Sequence, residues 1–598
     1  MSANTNIESS LVTLNIKVEG KAIPDILDVK AVEVQKGVNR ISTAKIIIID
    51  GNPSTGEFEA SSSADFVPGN EITIEAGYDS DNKLLFKGII TKQNIKVHRS
   101  EGALLEVECR DSAIKMVVGR KSMTFAKKKD SDIIKSIIGT YSGLSANVTA
   151  TSTQWPEQVQ YYASDWDFIL SRAEANGMVV TTLNGQVAVF PPDKDTKPVL
   201  EIEYGNNLLE FNADLNSINQ LGSVQGSSWD FKTQKVIDSK SNSSLKGPGN
   251  LTTKQLSEVV GLKEYELQTT APLSKTDLTN WTKAELVKSE YAKIQGEVKF
   301  QGSNLVEPGK YITLDGLGDR FNGDHFISGL THSISDGNWV TEVSVGLSTV
   351  WFTEESDVMA PAASGLLPGV QGLFNGTIKK MYEDPDNQFR VLVDVPLFDA
   401  KGKGIWARLA NFYSTSNAGA FFLPEVGDEV VVGFLNEDPR YPVILGSLYS
   451  SSKNKPFKGL TPDKKNSKKA IVSKTGIFIE FDDENKIFTI NTPSKNQAIF
   501  SDKDKKITIK DQNGNSAEMS SSGIIIKSPK NITVQASQKL ILKGNTGVDI
   551  QSSGGDVNIK GLNINNSANV KFSANGGAQA ELKGGAQTTI KGAMVMIN

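Results

Sequence analysis

Short runs of alternating apolar and polar residues follow one another through residues 1–355. Stretches such as "LVTLNIKVEG", "EITIEAGYD" and "ALLEVECRD" have the period-two or compact apolar pattern of β-strands, and Gly and Asn turns separate them. Strand patterns resume near the end of this region with "GKYITLDG", "HFISGLTHSIS" and "WVTEVSVGL". The pattern predicts a mainly β region.

Three stretches inside this region have the period of a helix instead. The clearest is "SDWDFILSRAEANG", residues 164–177, in which Ser164 can cap the helix, Asp167 follows three positions later and an Asn-Gly pair ends it. The other two lie at residues 130–141 and 274–296. We therefore expect a few helices among the strands.

A compact block of short strands lies between two polar linkers. The first linker, residues 356–369, is rich in Ala, Pro, Gly and Ser, and the second, residues 451–469, is rich in Lys and Ser. The block between them, residues 370–450, contains five apolar runs with a gap between the third and the fourth. This arrangement is typical of an OB-type barrel.

The last segment, residues 470–598, consists of short strands and turns. Its first strands have irregular spacing, and an eight-residue repeat then begins. Apolar-x-apolar triplets start at Ile524, Ile532, Leu540 and Val548. The apolar positions of these four triplets are Ile524, Ile526, Ile532, Val534, Leu540, Leu542, Val548 and Ile550. The repeat is interrupted near residues 556–562 and then resumes, with further octads starting at Leu562, Val570, Ala580 and Thr588.

The repeat length favours a structure that several chains share. A three-residue strand spans roughly 10 Å, which is too short for an independent hairpin. A single-chain β-solenoid usually needs a longer coil, because each turn contains two or three strands and their corners. We therefore expect three chains to wind together with the triplet residues inside, so that few strand edges stay open and the structure unfolds slowly.

The chain finishes on a short apolar run. Met594, Val595, Met596 and Ile597 have only Asn598 as polar cover. Exposed apolar patches usually mark contact sites, although the packing of a last strand would give the same pattern. Both interpretations remain open at this stage.

Composition and cysteine content narrow the class of protein. A length of 598 residues predicts three or more domains, and 38% hydrophobic and 22% charged residues with a mean hydropathy of −0.26 are ordinary for a soluble protein. No apolar run is long enough to span a bilayer, and the beginning of the chain lacks the pattern of a secretory signal. Cys109 is the only cysteine, which excludes an intrachain disulfide and indicates synthesis in a bacterial-type cytosol.

Charge is distributed unevenly along the chain. The net charge of −5 gives no overall attraction to nucleic acid. From residue 523 onward there are eight lysines and three acidic residues, so this stretch carries +5 and the rest of the chain −10. Lysines on solvated strands prevent aggregation, and contact with an anionic membrane is the alternative interpretation.

Motifs for catalysis or metal binding are missing from the sequence. None of the three histidines accompanies a serine with elbow glycines, and neither HExxH nor CxxC occurs. "GNPSTG" has the glycine spacing of a P-loop without its Lys-Ser/Thr. In the OB-type block, Arg408, Phe412 and Tyr413 would suit binding of single strands or sugars, or simple barrel packing. We predict no enzyme, no cofactor, no metal site and no nucleic-acid partner.

Two longer runs carry a resemblance to a known family. They are "QYYASDWDFILSRAEANGMVV" (160–180) and "WARLANFYSTSNAGAFFLPEVGDEVVVGFLNEDPRYPVILGSLY" (406–449). Together with the octad tail, they resemble VgrG-type spike proteins of contractile injection systems, which are related to phage tail hub and needle proteins. The resemblance covers essentially the whole chain. It implies a mainly β homotrimer with a hub of β-barrel subdomains and a few helices, an OB-fold neck and an intertwined triple-stranded β-helix, or prism, as needle.

The resemblance also implies a function and partners. The expected protein is the spike of a type VI secretion system, a trimeric puncturing device at the tip of the inner tube that carries effectors and a PAAR-type tip protein into target cells. Hexameric tube-protein rings and baseplate proteins are the other expected partners, the tip protein is expected on residues 594–598, and the target membrane is pierced rather than stably bound. The protein is expected in the cytoplasm before assembly and outside the cell after contraction.

Two alternatives stay open. One is the spike of an extracellular or phage-tail-like injection particle, which the sequence does not separate from the first. The other is a trimeric tail-fibre enzyme that degrades polysaccharide. Such an enzyme needs clustered carboxylates, and the acids after residue 523 are only Asp549, Asp556 and Glu581.

Overall fold

The computed structural model describes residues 11–100, 102–355, 358–398, 402–458, 460 and 462–597. Asn598, which belongs to the predicted tip site, lies outside the described residues. The chain divides into two compact units, Met1–Ser447 and Leu448–Asn598, here called the first and the second unit. The predicted mainly β class is confirmed, since the described residues contain 35 strands and four α-helices.

The first unit contains 28 strands, of which 21 precede residue 350. These 21 strands are β1 (Val12–Val18), β2 (Lys21–Ala22), β3 (Val29–Gly37), β4 (Thr43–Ile49), β5 (Glu71–Tyr78), β6 (Lys83–His98), β7 (Gly102–Arg110), β8 (Lys121–Lys129), β9 (Ser145–Val148), β10 (Gln154–Ala163), β11 (Val179–Leu183), β12 (Gln186–Phe190), β13 (Pro198–Glu203), β14 (Leu208–Leu215), β15 (Ser223–Asp230), β16 (Lys235–Asn242), β17 (Tyr265–Thr269), β18 (Ile294–Gln301), β19 (Tyr311–Asp315), β20 (Gly323–Ser335) and β21 (Asn338–Val345).

Most of these strands form one 13-stranded sheet. Its main path runs β14-β18-β21-β20-β3-β4-β7-β6-β5-β1-β2, and β19 joins β20 to β13. Where β20 meets β3, the antiparallel register sets Ile334 opposite Val32, and the row continues to Ile46 and Val107. All four side chains are buried. Alternation along each strand thus places every second residue in a common core.

Four helices accompany the small sheets of the first unit. They are α1 (Asp130–Ile138), α2 (Asp165–Ala175), α3 (Thr253–Val260) and α4 (Lys275–Tyr291). The three predicted helices are therefore confirmed, and in α2 the Ser164 side chain accepts a hydrogen bond of 3.0 Å from the Asp167 amide, as its sequence predicts. Helix α3 was not predicted. That helix is short and holds one deeply buried apolar side chain, Leu256, so its apolar period is weak.

A closed five-stranded barrel lies at the end of the first unit. Its strands are β22 (Phe374–Lys380), β23 (Val391–Asp394), β24 (Ile405–Leu409), β27 (Glu429–Phe434) and β28 (Pro442–Ser447), in the closed order β22-β23-β24-β28-β27. A hairpin of β25 (Ser414–Thr415) and β26 (Ala418–Gly419) fills the gap between β24 and β27. This is the five-stranded barrel that the spacing of the apolar runs predicts.

The barrel is packed by aliphatic side chains from every strand. The fully buried ones are Ile378, Val391, Val393, Ala407, Val430, Val432 and Ile444. Gly376 lies among them, and a Cβ there would come within 2.5 Å of a Val393 methyl group. A glycine is therefore required where β22 approaches β23.

The linker predicted at residues 356–369 contacts the barrel over its second half. Ala363 is buried, the Asn436 amide donates a 3.1 Å hydrogen bond to the Ser364 hydroxyl, and the Val370 amide donates one of 2.8 Å to the Glu437 carbonyl. This part of the linker is therefore held by specific contacts. The predicted domain boundaries themselves stay predictions.

The second unit begins with a seven-stranded antiparallel sheet in which each strand pairs with the next. Its strands are β29 (Lys468–Val472), β30 (Phe478–Asp482), β31 (Ile487–Asn491), β32 (Gln497–Ser501), β33 (Lys506–Lys510), β34 (Ser516–Ser520) and β35 (Gly523–Lys527). Strands β29, β31 and β33 start 19 residues apart, and so do β30, β32 and β34. The irregular spacing expected from the sequence is therefore wrong.

Turn chemistry repeats with the same 19-residue period. Each five-residue turn opens with a side-chain oxygen that accepts a hydrogen bond from the amide four positions later. Ser473, Thr492 and Asp511 are the acceptors, at 3.1, 3.3 and 2.9 Å. Different residue types with the same hydrogen-bonding function therefore close equivalent turns.

From residue 528 to residue 597 the structure contains no strand. Among the described residues, no helix is both long and apolar enough to cross a membrane.

Candidate functional site

The sheet of the second unit has one apolar face. The antiparallel register aligns side chains into two rows across that face, here called the apolar rows. The first row is Ile471, Ile479, Ile490, Ala498, Ile509, Ala517 and Ile526, and the second is Lys469, Phe481, Phe488, Phe500, Ile507, Met519 and Ile524. Only one of these residues, Lys469, is polar. Since side chains alternate between faces, positions two apart along a strand share one side of the sheet.

The aromatic members of the second row contact one another. Ring centroids of Phe481 and Phe488 are 5.2 Å apart, and those of Phe488 and Phe500 are 5.9 Å apart. Cross-strand aromatic pairs of this kind stabilise a sheet by roughly 0.2–1 kcal/mol each. Nevertheless, Phe481 and Phe500 remain nearly half exposed, because no second layer covers them.

The opposite face carries mixed polar residues. A row there contains Glu480, Thr489, Ile499, Thr508 and Glu518. Lys468 pairs with the first of these glutamates at 3.3 Å, and Lys506 with the last at 3.2 Å. The sheet is therefore amphipathic, with one face suited to solvent and the other to a contact.

The octad segment, residues 528–597, follows this sheet directly. The structure places two of the eight predicted core residues, Ile524 and Ile526, in β35, one in each apolar row. The other six lie beyond the last strand. All eight are between 52% and 69% exposed, so the described chain brings none of them into a core of its own.

The predicted tip residues are also uncovered. Met594, Val595, Met596 and Ile597, here called the end patch, are all exposed, and Ile597 is 89% exposed. The end patch is therefore not packed as the last strand of a single-chain core. The end patch is an apolar surface available to a partner.

Titratable groups of the first unit form structural contacts. His332 lies in β20, its Nδ1 is 2.9 Å from the Thr341 hydroxyl, and burial, assisted by nearby Lys36, lowers its pKa to about 3. His325 is also buried, with its Nε2 2.7 Å from the Phe321 carbonyl. Among the described residues, no group of three or more His, Cys, Asp or Glu is arranged to hold a metal ion. His325 and His332, both in β20, therefore make structural contacts.

Helices α2 and α4 share a buried charged cluster that was not predicted. Lys288 on α4 pairs with Glu174 on α2, whose second oxygen accepts a 2.7 Å hydrogen bond from the Phe352 amide. Trp351 donates a 2.7 Å hydrogen bond to Glu285, the pKa of which is raised by burial. These contacts fix residues 351 and 352, which follow the last strand of the 13-stranded sheet, β21. Because the residues of the cluster lie far apart in the sequence, no local sequence pattern predicts their contact.

The aromatic residues beside the small hairpin lie outside the barrel. Phe412 is 87% exposed, and Tyr413, Phe421 and Phe422 are exposed as well. Of the two interpretations offered by the sequence, packing inside the barrel is therefore wrong for Phe412 and Tyr413. The hairpin therefore presents exposed aromatic side chains to solvent.

Curated relatives are spike proteins of type VI secretion systems. The Pseudomonas aeruginosa spike protein VgrG1c is 18% identical over 474 residues, which are 74% of this chain and 62% of that protein. The Vibrio cholerae spike protein VgrG3 is 40% identical over 52 residues, 9% of this chain and 5% of that protein. This chain thus spans less than two thirds of the length of either relative.

A solved structure, the 43 kDa tail protein of prophage MuSo2 from Shewanella oneidensis, is similar to this chain with 12% identity and a TM-score of 0.45. The match covers 56% of this chain and 99% of that chain.

Two family profiles match separate parts of the first unit. The type VI secretion system/phage-baseplate injector OB domain matches residues 374–449, which contain the closed barrel. The Alg8 N-terminal domain matches residues 8–336, more than half of the chain. The injector OB domain and the curated relatives support a spike protein of the VgrG type, as the resemblance in the sequence predicts. Over residues 8–336, which are more than half of its length, the chain belongs to the family of the Alg8 N-terminal domain.

Proposed function

We propose that the protein is the trimeric spike of a type VI secretion system. In this proposal the first unit is the hub and neck, and the second unit is a needle built from three chains. The observation that carries the proposal is the uncovered apolar face of the second unit, followed by an octad segment without a strand, in a chain with an injector OB barrel. The chain acts as a structural component rather than as an enzyme.

Three chains solve a problem that one chain leaves open. A sheet with an apolar face needs a second layer, and the backbone of a short strand needs a neighbour. Three copies of the sheet facing one another bury the apolar rows, and three octad segments wound together give each strand neighbours in the other chains. The eight core residues, from Ile524 to Ile550, then point toward the common axis.

A pair of charge substitutions tests the needle. Replacing Ile532 and Leu540 by Asp puts six unpaired carboxylates into the axis of a trimer, at several kcal/mol each. The expected result is loss of the heat-resistant trimer in denaturing gels. The matched control replaces Thr533 and Ile541, the middle residues of the same two triplets, by Asp and retains the trimer. Equal behaviour of both variants contradicts the inward assignment.

Partners follow from the spike proposal. The hub seats on the hexameric rings of the inner tube within the baseplate, effectors travel on the spike, and a PAAR-type tip protein binds the end patch together with Asn598. The complex assembles in the cytoplasm and is exported by contraction. The apolar surface of the end patch supports the tip assignment.

A short deletion tests the tip assignment. Removal of residues 594–598 is expected to abolish co-purification of a PAAR-type protein and to leave the trimer intact. Replacement of Gln587 by Ala, a polar change seven positions before the patch, serves as the control and is expected to preserve binding. Unchanged binding after the deletion contradicts the assignment. Electron microscopy of the intact protein then checks the whole proposal, by the presence of a threefold hub with a narrow needle.

A further inference from the structure

Lysines recur at one position of the octads. In the octads that start at Ile524, Leu540, Ala580 and Thr588, the fourth residue is a lysine. These four residues, here called the lysine row, are Lys527, Lys543, Lys583 and Lys591. In the other four octads the fourth residue is Gln535, Gln551, Asn565 or Ser573. The position is therefore polar throughout and never acidic.

The lysine row lies on the side opposite the apolar triplet residues. Side chains alternate along a strand, so the fourth position of an octad faces away from the first and the third. The structure displays this arrangement in β35, where Ile524 and Ile526 belong to the apolar rows and Lys527 lies opposite Ser516 on the other face. In a shared needle, the lysine row therefore remains on the outside.

The surroundings of the row strengthen its charge. From Leu448 to the end, the chain has 22 lysines, no arginine and 12 acidic residues, a formal charge of +10. Because the whole chain carries −5, the first unit carries −15. The net charge thus favours attraction of an anionic partner to the second unit rather than to the first.

The residue types indicate which anion. Beyond residue 527 the segment has a single aromatic side chain, Phe572, so it lacks the stacking platforms of a nucleic-acid site. It also lacks the arginine forks that hold phosphates in a fixed geometry. Lysine is a compact, hydrated charge, which suits the diffuse potential of an anionic bilayer surface.

We propose that the lysine row binds the headgroups of anionic phospholipids. Contact with the bilayer is then an attractive binding step along the side of the second unit, and mechanical piercing alone does not describe it. The proposal goes beyond the spike function and rests on it, because only the strands of the shared needle place Lys543, Lys583 and Lys591 on the same outer side as Lys527.

Vesicle flotation with the full chain tests the proposal. We expect binding to vesicles of phosphatidylcholine with phosphatidylglycerol, no binding to phosphatidylcholine alone, and a steep loss of binding as salt is raised. A lysine near an anionic surface contributes about fivefold to the partition coefficient, so K527Q/K543Q/K583Q/K591Q together are expected to reduce binding by at least about a hundredfold. The corresponding four Lys→Arg changes retain binding.

A second set of lysines supplies the matched control. K453Q/K455Q/K464Q/K465Q removes the same charge from exposed residues before the sheet and is expected to reduce binding by less than about tenfold. Heat-resistant trimers of both quadruple variants exclude misfolding as the cause. The proposal is overturned by equal binding to neutral vesicles, by equal losses in the two quadruple variants, or by stronger binding to a DNA duplex than to the anionic vesicles.

Discussion

The two units use the same antiparallel strands with the same side-chain period, yet their apolar residues have opposite fates. In the first unit, Ile46, Val107 and Val432 are fully buried. From Leu448 onward, no hydrophobic side chain among the described residues is buried. A β-sheet gains stability from its apolar face only when another layer covers that face. The first unit provides this layer itself, and we infer that the second unit obtains it from other chains.

The comparison is tested most strongly by producing the units separately. Residues 1–447 are expected to keep their folded far-UV circular dichroism signal at every dilution, because their core lies within one chain. Residues 448–598 are expected to lose strand signal and oligomeric mass together on dilution, as followed by circular dichroism and sedimentation velocity. A folded, monomeric second unit contradicts the inference.

A single charge in the apolar rows is expected to have the next largest effect. Phe488 lies at the centre of its row, between Phe481 and Phe500. Its replacement by Lys places a cation in the covered face and is expected to cost several kcal/mol per chain, abolishing the heat-resistant oligomer. The adjacent Thr489 lies on the polar face beside Glu480, so T489K is the matched control and preserves the oligomer. If both variants assemble, the apolar rows are not the contact.

Part of this architecture could be predicted from the sequence, because its signals are local. Alternation along a strand, the cap at Ser164, and five apolar runs separated by turns each involve residues close in sequence. They were sufficient for the β class, three of the helices and the barrel. The pairing of β3 with β20 is different, since it joins segments about 300 residues apart and has no local signature.

The apolar rows of the second unit could have been found, but only with the strand register. Each strand alone, such as "KITIK" or "SAEMS", is too short and too mixed to indicate a buried face. Once the 19-residue period fixes the turns, the residues of neighbouring strands align and the rows emerge. The turn residues obscured that period, because Ser473, Thr492 and Asp511 have one hydrogen-bonding function and three different identities.

Truncation of an aliphatic side chain separates the two kinds of core more quantitatively. I46A removes a fully buried side chain and is expected to cost about 3 kcal/mol in the unfolding of the first unit, independently of protein concentration. I509A shortens a half-exposed member of an apolar row and is expected to leave that transition unchanged. It weakens assembly by about 1–2 kcal/mol per chain, as measured by the concentration dependence of the second transition. An I509A effect that is the same at all concentrations contradicts a core shared between chains.

The smallest expected difference concerns ion pairs and pH. Glu106, buried in β7, is held by Lys96 at 2.8 Å and Lys45 at 3.0 Å, and these partners lower its pKa to about 2. A carboxyl group with a lowered pKa stabilises the fold above its ordinary pKa near 4.5, and this contribution disappears as the pH falls toward 2. E106Q is therefore expected to lower the free energy of unfolding by about 1–2 kcal/mol at pH 7 and by nothing measurable near pH 2.

Glu518 in the second unit supplies the control. It pairs with Lys506 at 3.2 Å on a solvated face, so E518Q is expected to cost less than about 0.5 kcal/mol at any pH. Urea unfolding of both variants across this pH range measures the difference. Equal costs for the two substitutions would mean that the first unit does not shield its charges any better than the second, and the contrast between the units would then be limited to their apolar residues.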